Sequence, residues 1–130
     1  WADPAIGLVE AVFGALKQWT TAVLPEGLLA EFVASGLIDD DQQLSIARAR
    51  VAPGVTTRWH SLAGITERYV IVEGNGEAEV GEMLPQLVTA GDVVIIPPGE
   101  RQRITNIGDS DLIFLAVCTP RFEVSKYVSL

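Results

Sequence analysis

The side chains of this 130-residue sequence that could do chemistry lie between residues 58 and 102. His60 is the single histidine, and the carboxylate of Glu67 follows it at a short distance along the chain. Arg58 adds a guanidinium, Tyr69 a phenol and Gln102 an amide. Imidazole, carboxylate and amide oxygen can all ligate a divalent transition metal. An imidazole and a carboxylate can also act as acid and base without a metal.

Period-two alternation predicts that these side chains share one interior, because successive residues of a strand point to opposite faces. Residues 55–62 and 66–73 have the pattern of strands, and a further strand is expected at 102–107. The predicted inward positions are Thr56, Arg58, His60 and Leu62 on the first strand, Glu67, Tyr69 and Ile71 on the second, and Gln102 and Ile104 on the third. We therefore expect a cavity with an imidazole, a carboxylate, an amide, a phenol and a guanidinium.

The elements that would position this cavity are short strands. Strand-like runs separated by Gly, Pro and Asp occur at 28–34, 43–52, 55–62, 66–73, 77–82, 92–97, 102–107 and 111–119. Gly74-Asn75-Gly76 has the composition of a tight hairpin turn. About eight such strands predict a closed or sandwiched all-β fold.

Residues 1–27 are expected to form a helical extension before the β domain. Asp3-Pro4 is a helix-opening pair, and Ile6, Val9 and Phe13 begin an apolar stripe that continues through Leu16 towards Trp19. Because the cationic residues of a membrane-surface helix are nearly absent, the stripe is interpreted as a packing face on the β domain or across a dimer seam.

Two spacing patterns resemble the motifs of the cupin superfamily. The first motif is glycine, five residues, His-x-His, four residues, glutamate, six residues and glycine. Gly54, His60, Glu67 and Gly74 occupy its positions, and Leu62 replaces the second histidine. The second motif is matched by Gly91, Pro97, Gly99, Gln102 and Asn106, with Gln102 in place of a histidine.

The resemblance implies an all-β double-stranded β-helix, or jelly-roll, cupin barrel over residues 28–130 with a short N-terminal helix. The segment from Cys118 to Phe122, with Tyr127 beyond it, is similar to the end of small single-domain cupins that are labelled mannose-6-phosphate isomerase-like. Such a label reflects the barrel more than a sugar substrate, because fold alone does not fix function.

The resemblance also implies a metal site, which this sequence would keep only in part. In cupins a divalent metal is held by the two histidines and the glutamate of the first motif and by the histidine of the second. Here the candidate ligands are His60, Glu67 and Gln102, and they would hold Fe, Mn, Ni or Zn at reduced affinity. An internal salt bridge from Arg58 to Glu67 is the competing interpretation, because a buried carboxylate needs a partner. No organic cofactor is implied.

Two functions remain open from the sequence. The first is a metal-dependent enzyme that acts on a small polar or anionic metabolite, with His60 and Glu67 as catalytic residues. The second is a metal-free binding or sensing protein whose cavity uses Arg58, Tyr69 and Gln102 to bind its ligand. Leu62 favours the second, because an apolar residue supplies shape and dryness rather than coordination.

Composition limits the partners. The net charge of −8 disfavours nucleic acid, and no apolar stretch is long enough to span a bilayer. A mean hydropathy of +0.31 is high for a soluble monomer of this size and favours a homodimer. The lone Cys118 cannot form an intrachain disulfide, so a reducing, cytoplasmic environment is expected.

Overall fold

The computed structural model describes residues 19–23, 28–33 and 41–130. The helical stripe predicted from Ile6 to Leu16 lies outside these residues. Trp19–Val23, which the prediction placed in the helical extension, is instead a β-strand that pairs with Leu28–Val33. Within them, the single helical element is one turn of 3₁₀ helix at Val124–Lys126. No helix in the described part of the chain has the length and apolar content to cross a lipid bilayer.

Eleven strands make up the rest of the regular structure that is described. In chain order they are β1 (Trp19–Val23), β2 (Leu28–Val33), β3 (Ser45–Val51), β4 (His60–Leu62), β5 (Thr66–Glu73), β6 (Asn75–Val80), β7 (Gln86–Thr89), β8 (Val93–Ile96), β9 (Gln102–Asn106), β10 (Leu112–Thr119) and β11 (Tyr127–Ser129). The predicted all-β class is confirmed.

The strands form two antiparallel sheets. The first sheet has the order β1-β2-β3-β10-β5-β8, and the second has the order β11-β4-β9-β6-β7. Their inner faces pack on each other, since one core cluster combines Tyr69, Ile71 and Phe114 of the first sheet with Ala78 and Ile104 of the second. Alternate residues of the long strands are buried, as a double-layered sheet requires.

A second, smaller cluster closes one end of the space between the sheets. Leu62, Ile65 and Cys118 form its buried part, and Phe122 and Tyr127 pack against them. The apolar residue at position 62 is therefore a core residue at the end of β4, the strand that begins at His60.

The turn predicted as a hairpin at Gly74 is a passage between the two sheets. β5 ends at Glu73 and pairs with β10 and β8, whereas β6 begins at Asn75 and pairs with β7 and β9. Gly74 has a φ of 89°, which favours glycine. The hairpin prediction was wrong because glycine-rich turns occur both in hairpins and in connections between sheets. Which strands pair is set by long-range packing and not by the turn.

The strand predicted at 55–62 forms only in part. Regular pairing is confined to His60–Leu62, and Thr56 makes an isolated bridge to Thr105. Between them the hydroxyl of Thr57 accepts a hydrogen bond from the backbone N–H of Ile104 at 3.0 Å. Strict alternation is lost here, so Thr57 is buried and Arg58 is exposed. The expectation that Arg58 faces the interior is therefore wrong.

Candidate functional site

Glu67 is a buried carboxylate on β5, the strand next to one edge of the first sheet. Its cross-strand neighbours are Cys118 on β10 and Ile96 on β8. The residue is 8% exposed, and its Oε2 accepts a weak hydrogen bond from Cys118 Sγ at 3.6 Å. Its Oε1 is buried and has no hydrogen-bond partner. One acceptor atom of the carboxylate is thus left open inside the protein.

Gln102 and Tyr69 link the two sheets next to this carboxylate. The Tyr69 hydroxyl donates a short hydrogen bond to Gln102 Oε1. The Tyr69 ring packs on Phe114, with 4.4 Å between the centroids. Gln102 is 1% exposed, and its Nε2 has no hydrogen-bond partner. Because Tyr69 occupies the amide oxygen, Gln102 offers the site a donor.

His60 lies beside Gln102 in the second sheet, since the two residues are direct cross-strand partners of β4 and β9. Its ring is half-buried and stacks on Tyr127, with 5.2 Å between centroids and 17° between planes. The Nδ1 atom lies 2.9 Å from the carbonyl oxygen of Arg58. A carbonyl oxygen only accepts, so Nδ1 carries the proton in this bond. In the neutral ring, Nε2 then keeps its lone pair.

Burial controls the electrostatics of the site. Desolvation raises the pKa of Glu67 above its usual value, and the nearby His60, Gln102 and Cys118 offset this only in part by stabilising the charged form. Burial, followed by the Glu67 charge, raises the pKa of Tyr69 and of Cys118. The phenol and the thiol are therefore held in their neutral, proton-donating forms.

Arg58, the alternative partner expected for Glu67, does not stabilise the charged form of this carboxylate. Arg58 is exposed, and the groups that act on the Glu67 carboxyl are His60, Gln102 and Cys118. A side-chain hydrogen-bond interaction with Gln102 favours the charged carboxylate, although Glu67 Oε1 and Gln102 Nε2 do not meet in a hydrogen bond of standard geometry. An acceptor and a donor thus stand close together, each without a partner.

These donors do not make a transition-metal centre of the usual kind. Among the described residues, no group of three His, Cys, Asp or Glu side chains is placed to hold a metal ion. The oxygen of Gln102 is engaged by Tyr69, which leaves one lone pair of His60 and one oxygen of Glu67. Catalytic metal sites generally use three protein ligands. The side chains fit a hydrogen-bonding ligand better than they fit a metal.

The sequence predicted most of the residues of this site but assigned no role in it to Cys118 and Tyr127. Cys118 was interpreted as a small buried hydrophobe; it is buried, and it also touches the Glu67 carboxylate. Alternation along 111–119 could have placed it on the inward face with Phe114. Tyr127, which stacks on His60, comes from a three-residue strand at the end of the chain, and no local pattern pointed to that contact.

Comparison with known proteins decides the family. The model of the cupin domain family Cupin_2 matches residues 47–118, a segment that contains His60, Glu67, Gln102 and Cys118. The chain belongs to this family. The resemblance of the two motifs to cupins is thereby confirmed.

Relatives of this cupin include proteins linked to oxalate. An oxalate-binding protein from Thermotoga maritima is 39% identical over 72 residues, which is 55% of this chain and 58% of that protein's length. The structure of an oxalate decarboxylase from Lactobacillus farciminis in complex with formate matches with a TM-score of 0.73 and 25% identity, over 86% of this chain and 33% of that one.

A third protein of similar structure is a nucleoside dehydratase. The Streptomyces protein Pac13, a nucleoside dehydratase, matches in its uridine complex with a TM-score of 0.72 over 88% of this cupin and 86% of that chain. Its identity of 14% shows a shared fold alone. The cupin fold of this chain is thus established.

Proposed function

We propose that this cupin binds a small carboxylic acid, with oxalate as the first candidate, at the side chains of Glu67 and Gln102 and without a metal. The observation that carries the proposal is the pair of buried, unpartnered atoms Glu67 Oε1 and Gln102 Nε2. A ligand that presents one hydrogen-bond donor and one acceptor would satisfy both atoms.

The energetic argument rests on the cost of leaving these atoms unpaired. A buried polar group without a partner costs about 1–3 kcal/mol, and more when it is charged. Hydrogen oxalate carries an acidic O–H that can be donated to Glu67 and a carbonyl oxygen that can accept from Gln102. Leu62 and Ile65 pack with Cys118, which contacts Glu67, and this apolar cluster would exclude water and strengthen both bonds.

The comparisons support the same ligand class. The Thermotoga maritima relative is named as an oxalate-binding protein, and its 39% identity extends over 72 residues. Since this match spans 58% of that protein's length, carrying its ligand over to this cupin belongs to the proposal.

Titration calorimetry with chelator-treated protein tests the proposal, with oxalate, malonate and acetate as ligands. We expect oxalate to bind and Gln102→Leu to weaken binding by about fivefold, the value of one neutral hydrogen bond. Glu67→Gln removes a charged acceptor and should weaken it by about tenfold or more. Gln86→Leu changes an exposed glutamine on β7 and is the matched control.

Two results would overturn the proposal. One is that no acid of the panel binds to the wild-type protein. The other is that oxalate binds only after a transition metal is restored, which would favour the metal-dependent enzyme with His60 and Glu67 at its centre. Circular dichroism of each variant checks that a loss of binding is not a loss of fold.

A further inference from the structure

A row of three polar residues crosses the inner face of the first sheet. The strand registers align Ser45 of β3 with Cys118 of β10, and Cys118 with Glu67 of β5. All three side chains belong to buried residues. A parallel inward row on the same three strands is entirely apolar and consists of Ala49, Phe114 and Ile71. Because buried polar groups are costly unless they are hydrogen-bonded, the polar row needs an explanation.

The hydrogen bonds along this row all point towards Glu67. The backbone N–H of Phe122 donates to Ser45 Oγ at 2.9 Å, so the hydroxyl proton is left for another acceptor. Burial raises the pKa of the Cys118 thiol, and a side-chain hydrogen bond from Ser45 opposes that rise. A group that opposes the rise donates to the sulfur, because donation stabilises the thiolate. Cys118 in turn donates to Glu67 Oε2, since a carboxylate only accepts.

A chain of donors that points one way strengthens its own bonds, because each accepted proton polarises the next donor. A thiol alone is a weak donor. The hydroxyl of Ser45 therefore supports the contact between Cys118 and Glu67. The chain ends on Oε2, and the other oxygen of the same carboxylate, Oε1, has no hydrogen-bond partner.

The two halves of the site are built in the same way. Cys118 holds one oxygen of Glu67, and Tyr69 holds the amide oxygen of Gln102. Each side chain is thus tied through one polar atom and open at the other. The last torsion of a glutamate side chain is broad, so a carboxylate without an anchor can rotate. Rotation onto Gln102 Nε2 would satisfy both open atoms within the protein and close the site to a ligand.

We propose that Ser45 and Cys118 are positioning residues that hold Glu67 through Oε2 and so keep Oε1 open to the ligand. The inference rests on the proposed function, because it names the residues that prepare the acceptor for a carboxylic acid. Both act through Glu67 and not by contact with the ligand. The anchor lies on β3 and β10, which makes the first sheet responsible for the orientation of the carboxylate.

Two substitutions at position 118 separate positioning from packing. Cys118→Val keeps an apolar side chain in the cluster with Leu62 and Ile65 but has no donor, whereas Cys118→Ser keeps a donor and buries a hydroxyl. Positioning predicts that Cys118→Val weakens oxalate binding by about two- to tenfold, the range of one neutral hydrogen bond, and that Cys118→Ser restores most of the affinity. Urea unfolding should give the opposite order, because the apolar cluster prefers valine.

The second position of the row is tested in the same titrations. Ser45→Ala removes the donor to the thiol and should also weaken oxalate binding, by about two- to fivefold. Ser61→Ala is the matched control, since Ser61 is a buried serine on β4 that lies outside the row. We expect this control to bind oxalate with the affinity of the wild type.

Infrared spectroscopy of the S–H stretch tests the row without any ligand. Cys118 is the single cysteine of the sequence, so the band has one source. Donation weakens the S–H bond and lowers its stretching frequency. Glu67→Leu removes the acceptor and should therefore raise the frequency, whereas Ser61→Ala should not change it. Circular dichroism checks that each variant is folded.

Three results would overturn the proposal. One is an S–H band that stays unchanged in Glu67→Leu. Another is oxalate binding that is as strong in Cys118→Val as in the wild type, and the third is binding that is weaker in Cys118→Ser than in Cys118→Val. If the wild type binds no acid, the proposed function fails. In that case a band that shifts in Glu67→Leu still supports the anchor on Oε2, and an unshifted band overturns it.

Discussion

At the residue scale, the site is governed by a carboxylate that the fold buries without a cation hydrogen-bonded to it. Glu67 receives one weak hydrogen bond from Cys118, Gln102 also favours its charged form, and its Oε1 makes no hydrogen bond of standard geometry. Burial without full pairing disfavours the charged form and raises the pKa of the group. Glu67 thus lowers stability and leaves an open acceptor, as is common where a protein binds a ligand.

Glu67→Gln is expected to stabilise the protein at neutral pH, by on the order of 1 kcal/mol. Because the pKa of Glu67 is raised above its usual 4.5, the native state binds more protons than the unfolded state above that pH. The stability of the wild type therefore falls as pH rises from the usual pKa of 4.5 through the raised pKa of Glu67 in the folded protein. The glutamine variant lacks this loss.

Urea unfolding of the wild type and the variant at about pH 4 and about pH 8 measures the effect. The stability difference should be larger at the higher pH. Glu73→Gln, which changes an exposed carboxyl at the end of the same strand, should show no such difference. An equal difference at both pH values for Glu67→Gln would contradict this account.

Alternation was sufficient to find the interior of the site where the strands are regular. It placed Glu67 and Tyr69 on one face of β5, and both are buried, as is Gln102 on β9. Alternation failed at Arg58 because residues 57–59 are not part of a regular strand. Thr57 instead forms a hydrogen bond to Ile104 of β9 through its side chain. The bond between Tyr69 and Gln102 joins two sheets, so no local pattern could have predicted it.

At the element scale, the strands were predictable where one face is buried and turn residues mark their ends. The prediction missed β1, which lies within the extension expected to be helical, β7, of which only Val88 is buried, and the three-residue β11. Which strands pair was not predictable from the turns, because Gly74 connects strands of different sheets. Gly74 is one of the points where the chain passes between the sheets that carry the polar residues of β5 and β9.

Gly74→Ala should therefore destabilise the fold by about 2–4 kcal/mol, through positive φ and steric conflict together. A Cβ at this position would lie 2.6 Å from the carbonyl oxygen of Asp111 and 2.9 Å from Cα of Leu112. Both are backbone atoms, so relief requires β10 to move.

Gly64→Ala is the matched control for this prediction. Gly64 also has a positive φ, 72°, but no atom lies within 4 Å of the position that the added methyl group would take. Only the conformational cost of about 1 kcal/mol is therefore expected. Urea unfolding measures both variants. If both variants lost the same free energy of unfolding, close packing of Gly74 against Asp111 would not contribute to the stability of this connection between the sheets.

At the scale of the whole molecule, different residues set the fold and the chemistry of the interior. The two motifs place glycines and prolines at strand ends, and these positions carry the cupin fold without any metal ligand. The polar positions of the same motifs hold His60, Glu67 and Gln102, and Leu62 stands two residues after His60. If a bound metal stabilised this chain, its removal would have to change the stability of the entire domain.

We expect the purified protein to contain transition metal only in substoichiometric amounts, and a chelator to leave its thermal midpoint unchanged. A metal present at about one hundred times its dissociation constant would add about 2.7 kcal/mol, which raises the midpoint of a domain of this size by about 10 °C. Elemental analysis of protein prepared without chelator, combined with thermal unfolding before and after EDTA, measures both quantities. Glu67→Ala separates the outcomes, because a stoichiometric metal that is lost in this variant would establish Glu67 as a ligand and contradict the metal-free site.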